Sequence, residues 1–433
     1  NDGRWSREII DWEPRERTKK VSFGQLAMST GFRTLVIILT FFTTCSSRSI
    51  FVPDTSLDVT PTPQIIRRYG YPAKVYSVTT EDGYILELHR IPHGKNRKAD
   101  PLKKPVFLQH GLLTSSADWL LTGPKVGLGF LLADKGYDVW LGNTRGNTYS
   151  RRHVKYSPNE SQFWNFSFHE MGIYDVPACI DFILNKTKQD KVAYIGHSMG
   201  TTMFYVMASM RPEYNDKILV QISLAPIAYL GHMTSPIVRR LAPFAYIIYK
   251  TVNVLFKGEM LSRSSILDKA LGLLCTNNKE QMIFCQNIAF NMFGKNPDQF
   301  KYTNIPKFVG HDPAGISAKT LYHYAQFITN PNTFRQFDYG PLQNVQHYNS
   351  SVPPDYNVSA ITAKVAFFYG PNDPLANEKD VKLFYPRLPN PIGLFRVNFS
   401  TFTHIDFLWA KDARAILYNQ LLDLIDSETR NNE

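Results

Sequence analysis

A serine flanked by glycines is the first feature of this chain that could do chemistry. The letters GHSMG at 196–200 form a G-x-S-x-G pentapeptide, and the apolar run 191–195 before it is typical of a buried strand. Residues 201–210 follow with helical spacing. A strand, a sharp turn and a helix in this order are typical of a nucleophile elbow, which exposes a serine hydroxyl for attack on a carbonyl carbon. We therefore predict Ser198 to be a nucleophile.

An attacking serine needs a base and a group that orients this base. In elbow enzymes the order along the chain is Ser, then Asp or Glu, then His. Asp373 lies in the turn after a predicted strand at 364–370, and His404 lies in the loop after a predicted strand at 394–399. We assign His404 as general base and then acid, and Asp373 as the orienting carboxylate. The pattern leaves alternatives open: Asp380 and Asp406 for the carboxylate, and His110, His197, His323 and His347 for the base.

Negative charge that develops on a substrate oxygen needs two backbone N–H donors. The residue after the nucleophile, here Met199, commonly supplies one of them, and the loop after an early strand supplies the other. A strand is predicted at 105–109 and is followed by HGLL at 110–113. The Leu112 N–H is therefore the expected second donor.

Several longer motifs resemble the acid lipases, the family of gastric and lysosomal lipases. They are TEDGYIL at 80–86, HGLL at 110–113, YDVWLGNTRGN at 137–147, GHSMGTT at 196–202, HDPAG at 311–315 and HIDF at 404–407. The resemblance extends over most of the chain. It implies an α/β-hydrolase fold with a helical cap, and hydrolysis of triacylglycerols or cholesteryl esters. It also implies the triad Ser198, Asp373 and His404 with the oxyanion donors Leu112 and Met199, although family members carry Gln where this chain has Met199.

The domain organisation follows from the distribution of strand and helix patterns. The chain has 433 residues with 43% hydrophobic content, which is enough for a large core. Alternating strand and helix patterns favour an α/β fold with a mostly parallel sheet. We predict the hydrolase core at 47–228 and 357–433, with a helical cap or lid at 229–356 inserted between them. A mobile cap rich in apolar residues would cover an acyl-binding groove.

The N-terminal region predicts a secretory route. Residues 28–46 contain a basic residue, a short apolar stretch and then small residues, which is typical of a signal peptide. Residues 1–27 are polar and without periodicity, so we expect no folded domain there; a signal anchor is the alternative. Six N-x-S/T sequons fit a glycosylated protein that is secreted or lysosomal, at Asn159, Asn165, Asn185, Asn349, Asn357 and Asn398.

Cysteine usage and charge bear on cofactors and partners. Cys275 and Cys285 are close enough in sequence to form a disulfide, Cys45 leaves with the signal peptide, and Cys179 is expected as a buried thiol. No cysteine pair has zinc-ligand spacing, so neither a metal nor a cofactor is predicted. The net charge of +11 is scattered along the chain without a basic and aromatic stripe, which argues against nucleic-acid binding.

The predicted partner is a neutral lipid substrate at a lipid–water interface, and no stable protein partner is predicted. Two other functions are kept as alternatives. One is a soluble esterase that acts on small esters. The other is a non-catalytic lipid-binding protein, because a fold by itself does not guarantee activity.

Overall fold

The computed structural model describes residues 57–96, 104–276 and 278–430. The predicted signal peptide, the N-terminal extension and Cys45 lie outside these residues. A nine-stranded sheet and a separate two-stranded sheet are present. Their strands are β1 (Lys74–Thr79), β2 (Tyr84–Ile91), β3 (Pro105–Gln109), β4 (Asp138–Leu141), β5 (Arg152–His153), β6 (Val192–His197), β7 (Ile218–Leu224), β8 (Glu259–Met260), β9 (Ile316–Ser317), β10 (Val365–Tyr369) and β11 (Pro391–Arg396).

The large sheet is mostly parallel. Its strand order is β1-β2-β4-β3-β6-β7-β10-β11, and β5 pairs with β2. All pairs from β4 to β11 are parallel, whereas β2 is antiparallel to β1, β4 and β5. The strands β3, β4, β6, β7 and β10 are buried along their whole lengths, as is typical of parallel strands with both faces covered. The predicted α/β fold with a mostly parallel sheet is confirmed.

Helices connect these strands and fill the segment between β7 and β10. They are α1 (Thr62–Arg68), α2 (Leu128–Asp134), α3 (Phe168–Glu170), α4 (Val176–Thr187), α5 (Met199–Met210), α6 (Pro236–Leu241), α7 (Ala245–Phe256), α8 (Ser265–Cys275), α9 (Lys279–Phe293), α10 (Ile305–Val309), α11 (Ala318–Thr329), α12 (Pro341–Tyr348), α13 (Glu378–Phe384), α14 (Asp406–Trp409) and α15 (Asn419–Arg430). Among the described residues, no helix combines the length and the apolar character that crossing a bilayer requires.

The segment between β7 and β10 is mainly helical. It contains α6 to α12, together with the short antiparallel pair of β8 and β9. That pair was not expected, because two residues are too few to show the alternation by which a strand is identified in a sequence. A disulfide joins Cys275 at the end of α8 to Cys285 in α9. Cys179 is buried as a free thiol in α4.

The carboxyl ends of the parallel strands meet at one edge of the sheet, where ligand sites form in open α/β folds. β3 ends directly before the HGLL loop, β6 ends directly before Ser198, and β10 ends shortly before Asp373. β11 lies earlier than predicted, at Pro391–Arg396 instead of 394–399. Proline can begin an edge strand, and the chain after Val397 turns through two successive short-range hydrogen bonds. His404 therefore follows a longer loop than the sequence indicated.

Candidate active site

Ser198 lies in the turn between β6 and α5. Its backbone has φ 52° and ψ −116°, which a residue with a side chain rarely adopts. The Ser198 N–H donates to the carbonyl of Leu224 in the neighbouring strand at 3.0 Å. Strand and helix approach so closely that a Cβ at Gly196 would lie 2.7 Å from the backbone of Gly200. Both glycines of the pentapeptide are therefore required by packing, and the turn has the geometry of a nucleophile elbow.

The structure brings Ser198, His404 and Asp373 together in one chain of hydrogen bonds. The distance from His404 Nε2 to Ser198 Oγ is 2.8 Å, and the distance from His404 Nδ1 to Asp373 Oδ2 is also 2.8 Å. All three residues are buried. Because a carboxylate only accepts, His404 carries its proton on Nδ1 and presents the Nε2 lone pair to the serine. This is the arrangement in which a serine hydroxyl can lose its proton as it attacks a carbonyl carbon.

Asp373 is held in place by the turn that contains it. Its Oδ1 accepts hydrogen bonds from the backbone N–H groups of Leu375 at 2.8 Å and Ala376 at 2.9 Å. Both lone-pair directions of Oδ1 are thus used by the backbone, and Oδ2 remains for the imidazole. The carboxylate is fixed in position before any substrate binds.

The other candidate carboxylates have different partners. Asp380 accepts from Nδ1 of His232 at 2.7 Å, away from the serine. Asp406 accepts from the backbone N–H of Thr403 at 2.7 Å and from the side chain of Asn296 at 2.7 Å. Asp406 therefore stabilises the loop that contains His404 but does not contact its imidazole.

The four alternative histidines are also bonded elsewhere. His197 Nε2 donates to the backbone carbonyl of His404 at 3.0 Å, and burial lowers the pKa of His197 to about 3. His323 contacts Ser167 and a backbone carbonyl, and His347 stacks on a tyrosine ring. His110 contacts the loop that follows it. His404 is the histidine that the structure places on Ser198.

The HGLL loop lies directly over the elbow. A Cβ at Gly111 would lie 3.1 Å from Cβ of Ser198, so the loop backbone is packed against the serine. Within the described residues, the Leu112 N–H has no protein acceptor. Met199 is the first residue of α5, and the first N–H groups of a helix have no acceptor inside that helix. Two backbone donors beside the serine are therefore available for a ligand oxygen.

The GNTRGN loop at 142–147 supports the HGLL loop through hydrogen bonds from Thr144 and Asn147 to Nε2 of His110, a role that the sequence did not reveal. Arg145 is buried and paired with two carboxylates, Asp175 at 2.6 Å and Asp82 at 2.6 Å. Its guanidinium also lies 3.9 Å from the centre of the Tyr84 ring. These contacts fix the side chain of Arg145, and its backbone N–H also donates to Asp175 at 3.1 Å. The signal in the sequence was the long motif itself, whose polar residues suit neither a strand nor a helix interior.

Two buried carboxyl groups lie on the other side of the oxyanion loop. Asp118 follows that loop and accepts from the Trp409 indole at 3.1 Å, and its charge acts on the nearby carboxyl group of Asp312. Burial raises the pKa of both groups, and the charge of Asp118 adds to the increase at Asp312. Beside Asp312, the Ala314 N–H donates to the Leu113 carbonyl at 2.6 Å, which ties this region to the oxyanion loop.

Comparisons with known proteins show the family of this chain. Residues 62–123 match the model of a partial α/β-hydrolase lipase region, and residues 104–411 match the model of the α/β hydrolase fold. Gastric triacylglycerol lipase of Rattus norvegicus is 40% identical over 375 residues, which is 86% of this chain and 92% of that protein. Lipase 1 of Drosophila melanogaster is 41% identical over 84% of this chain and 79% of its own length. Lipase member K of Homo sapiens is 37% identical over 88% of this chain and 93% of its own. The chain therefore belongs to the acid lipase family of α/β-hydrolases, the family of the gastric lipases.

Proposed function

We propose that the protein is a serine lipase that hydrolyses carboxylic esters of neutral lipids through an acyl-enzyme intermediate. Triacylglycerols are the proposed main substrates, and cholesteryl esters are a second class to be tested. The observation that carries the proposal is the hydrogen-bonded chain from Ser198 through His404 to Asp373, with 2.8 Å at each bond. The relatives named as gastric triacylglycerol lipases support the choice of substrate.

The proposed reaction has two halves. Ser198 Oγ attacks the ester carbonyl carbon while His404 Nε2 takes its proton, and the N–H groups of Leu112 and Met199 bind the resulting oxyanion. The intermediate collapses, His404 gives the proton to the departing alcohol, and the acyl group stays on Ser198. Water then attacks the acyl-enzyme while His404 takes its proton, and the bond between the acyl carbon and Ser198 Oγ breaks as His404 returns the proton to Oγ and the fatty acid leaves. Asp373 keeps His404 in the required tautomer throughout.

The inserted segment 229–356 is proposed as the cap over this site. Ser198 has an exposed fraction of only 9%, and those of Asp373 and His404 are smaller. The backbone N–H of His404 donates to the carbonyl oxygen of Phe293, at the end of α9, at 3.2 Å. The ring of Phe293 is also nearly parallel to the imidazole of His404. A lipid ester reaches the serine hydroxyl only if part of this segment moves, as lids of other enzymes do.

The surface of the segment supports contact with lipid. Ile247, Val254, Leu255 and Phe284 each expose more than half of their surface on α7 and α9. Exposed apolar side chains in such numbers mark surfaces that meet a protein, a membrane or another apolar phase. We propose that they meet the lipid–water interface, where movement of the cap would also uncover the serine.

The proposed location is the secretory pathway. The asparagines of the six sequons, at Asn159, Asn165, Asn185, Asn349, Asn357 and Asn398, are all exposed and therefore accessible to glycosylation. Removal of N-glycans from the expressed protein should increase its electrophoretic mobility in several steps. A protein whose mobility does not change would contradict this proposal.

The function is tested by hydrolysis of emulsified trioleoylglycerol between pH 4 and 8, with the wild type beside Ser198→Ala. We expect activity in the wild type and a loss of several orders of magnitude in the variant. Binding of lipid without hydrolysis in either protein would refute the enzyme proposal and favour a lipid carrier. Equal rates on a water-soluble ester below and above its solubility limit, with no activity on the emulsion, would favour a small-ester esterase.

A further inference from the structure

His110 begins the HGLL loop and is completely enclosed, with a fractional exposure of 1%. Its Nδ1 lies 2.8 Å from the carbonyl oxygen of Gly111. Its Nε2 lies 3.1 Å from the backbone nitrogen of Thr144 and 3.2 Å from Nδ2 of Asn147. Thr114 Oγ1 is a more distant neighbour of Nδ1, at 3.3 Å. The proposed reaction gives this imidazole no step, so its four contacts need another explanation.

These contacts determine which ring nitrogen carries the proton. A backbone N–H can only donate, so Nε2 of His110 must accept from Thr144. The amide of Asn147 is oriented by its own oxygen, which accepts from the N–H groups of Tyr149 at 3.0 Å and Ser150 at 3.2 Å. The amide nitrogen of Asn147 therefore also donates to Nε2. Because burial lowers the pKa of His110 to about 4, the ring is neutral and its single proton is on Nδ1, directed at the Gly111 carbonyl.

Holding one side of a peptide group orients the other side. The peptide between Gly111 and Leu112 is planar, and in the trans form its C=O and N–H point in opposite directions. A donor on the Gly111 oxygen therefore turns the Leu112 N–H away from His110. The loop is packed against Ser198, and the Leu112 N–H has no protein acceptor among the described residues.

We propose that His110 is a positioning residue of the oxyanion hole, which turns the Leu112 N–H toward the substrate oxygen by holding the Gly111 carbonyl. This inference rests on the proposed lipase function. Thr114 Oγ1 is a second, longer donor to the same carbonyl, at 3.2 Å. The GNTRGN loop at 142–147 then has a definite role, because its two donors keep His110 in the tautomer that the carbonyl needs.

Two substitutions separate positioning from simple structural support. In His110→Asn the side-chain nitrogen takes the place of Nδ1, so the donor to Gly111 remains while the acceptor for Thr144 and Asn147 is lost. In His110→Gln the side-chain oxygen takes the place of Nε2, so the acceptor remains while the donor to Gly111 is lost. A merely structural role predicts that the less stable variant is also the less active one.

The proposal predicts the opposite order. We expect His110→Gln to keep a thermal midpoint close to that of the wild type but to lose about 10²-fold in kcat, the lower end of the loss for one oxyanion donor, because Thr114 remains. KM should change little, since the donor acts on the transition state. We expect His110→Asn to melt at a lower temperature and to keep kcat within about tenfold of the wild type.

The measurement is kcat and KM on emulsified trioleoylglycerol for the wild type and both variants, with thermal unfolding of the same preparations. Activity that follows stability across the three proteins would overturn the positioning role while leaving the lipase function intact. An inactive wild type would instead refute the proposed function, and this inference with it. The two failures are therefore distinguishable.

Discussion

Replacing Asp373 by asparagine tests the triad most directly, because the structure dictates how the new amide must lie. Oδ1 of Asp373 accepts two backbone N–H groups, from Leu375 and Ala376. In Asp373→Asn the amide oxygen must stay at these two donors. The amide nitrogen is then forced to face Nδ1 of His404, where Oδ2 lies at 2.8 Å in the native protein.

A donor in that position reverses the tautomer of His404. Nδ1 must then accept, so the proton of the neutral imidazole moves to Nε2, the nitrogen that faces Ser198 at 2.8 Å. An Nε2–H cannot accept the proton of the serine. Where such a change leaves the geometry intact, kcat falls about 10⁴-fold. This corresponds to about 5.4 kcal/mol of lost transition-state stabilisation. Residual activity is expected because the oxyanion donors remain.

Asp380→Asn is the matched control. Asp380 is also buried and bonded to a histidine, His232 at 2.7 Å, but neither residue contacts the serine. Both variants replace a buried carboxylate that is hydrogen bonded to a histidine, although His232 is partly exposed and His404 is buried. We expect Asp380→Asn to keep kcat on emulsified trioleoylglycerol within about twofold of the wild type, with thermal unfolding measured alongside. A kcat of Asp373→Asn within tenfold of the wild type, or an equal loss in Asp380→Asn, would refute the reasoning.

Three further predictions concern packing, pH and the disulfide. A methyl group in Gly200→Ala would lie 2.3 Å from a carbonyl oxygen of β3, so helix and strand must separate. We expect the free energy of unfolding, measured in denaturant, to fall by about 1–3 kcal/mol, and kcat to fall as well. Burial raises the pKa of Asp118 and Asp312, so the folded protein binds more protons than the unfolded chain, and its stability falls as the pH rises above about 4. Asp118→Asn should therefore flatten the change in thermal midpoint between pH 5 and 7. An unchanged slope would contradict this. Replacing Cys275 and Cys285 by serine should lower the free energy of unfolding by roughly 2–3 kcal/mol, because the closed loop is short, and a stability equal to that of the wild type would exclude this contribution.

Local sequence patterns were sufficient to predict the elements that hold the site. The run before Ser198 is apolar and the residues after it have helical spacing, so strand, turn and helix follow from periodicity alone. The choice among Asp373, Asp380 and Asp406 did not follow, because all three lie near predicted loops or helix starts and the pattern contains no information about distance. The family resemblance favoured Asp373, and in the structure the hydrogen bond from His404 to Asp373 separates it from the other two.

Pairings between distant parts of the chain were also beyond the sequence. The tautomer of His110 depends on a donor from Thr144, and part of the increase in the pKa of Asp312 depends on the charge of Asp118. Neither pair follows from helix or strand periodicity. His110, Thr144 and Asp312 instead appear in the motifs HGLL, GNTRGN and HDPAG, which suit no regular element, whereas Asp118 lies outside them.

The buried titratable groups around the serine have opposite effects on stability in acid. Burial lowers the pKa of His110 to about 4 and of His197 to about 3. The folded protein therefore binds fewer protons than the unfolded chain between these values and about 6.5, and its stability decreases as the pH is lowered through that range. The carboxyl pair of Asp118 and Asp312 has raised pKa values, so its contribution grows as pH falls toward about 4. The two contributions oppose each other over the same range of pH. Because burial lowers the pKa of His110 to about 4, its Nε2 can accept from Thr144 and Asn147 down to about that pH, below which a proton on Nε2 would face these two donors.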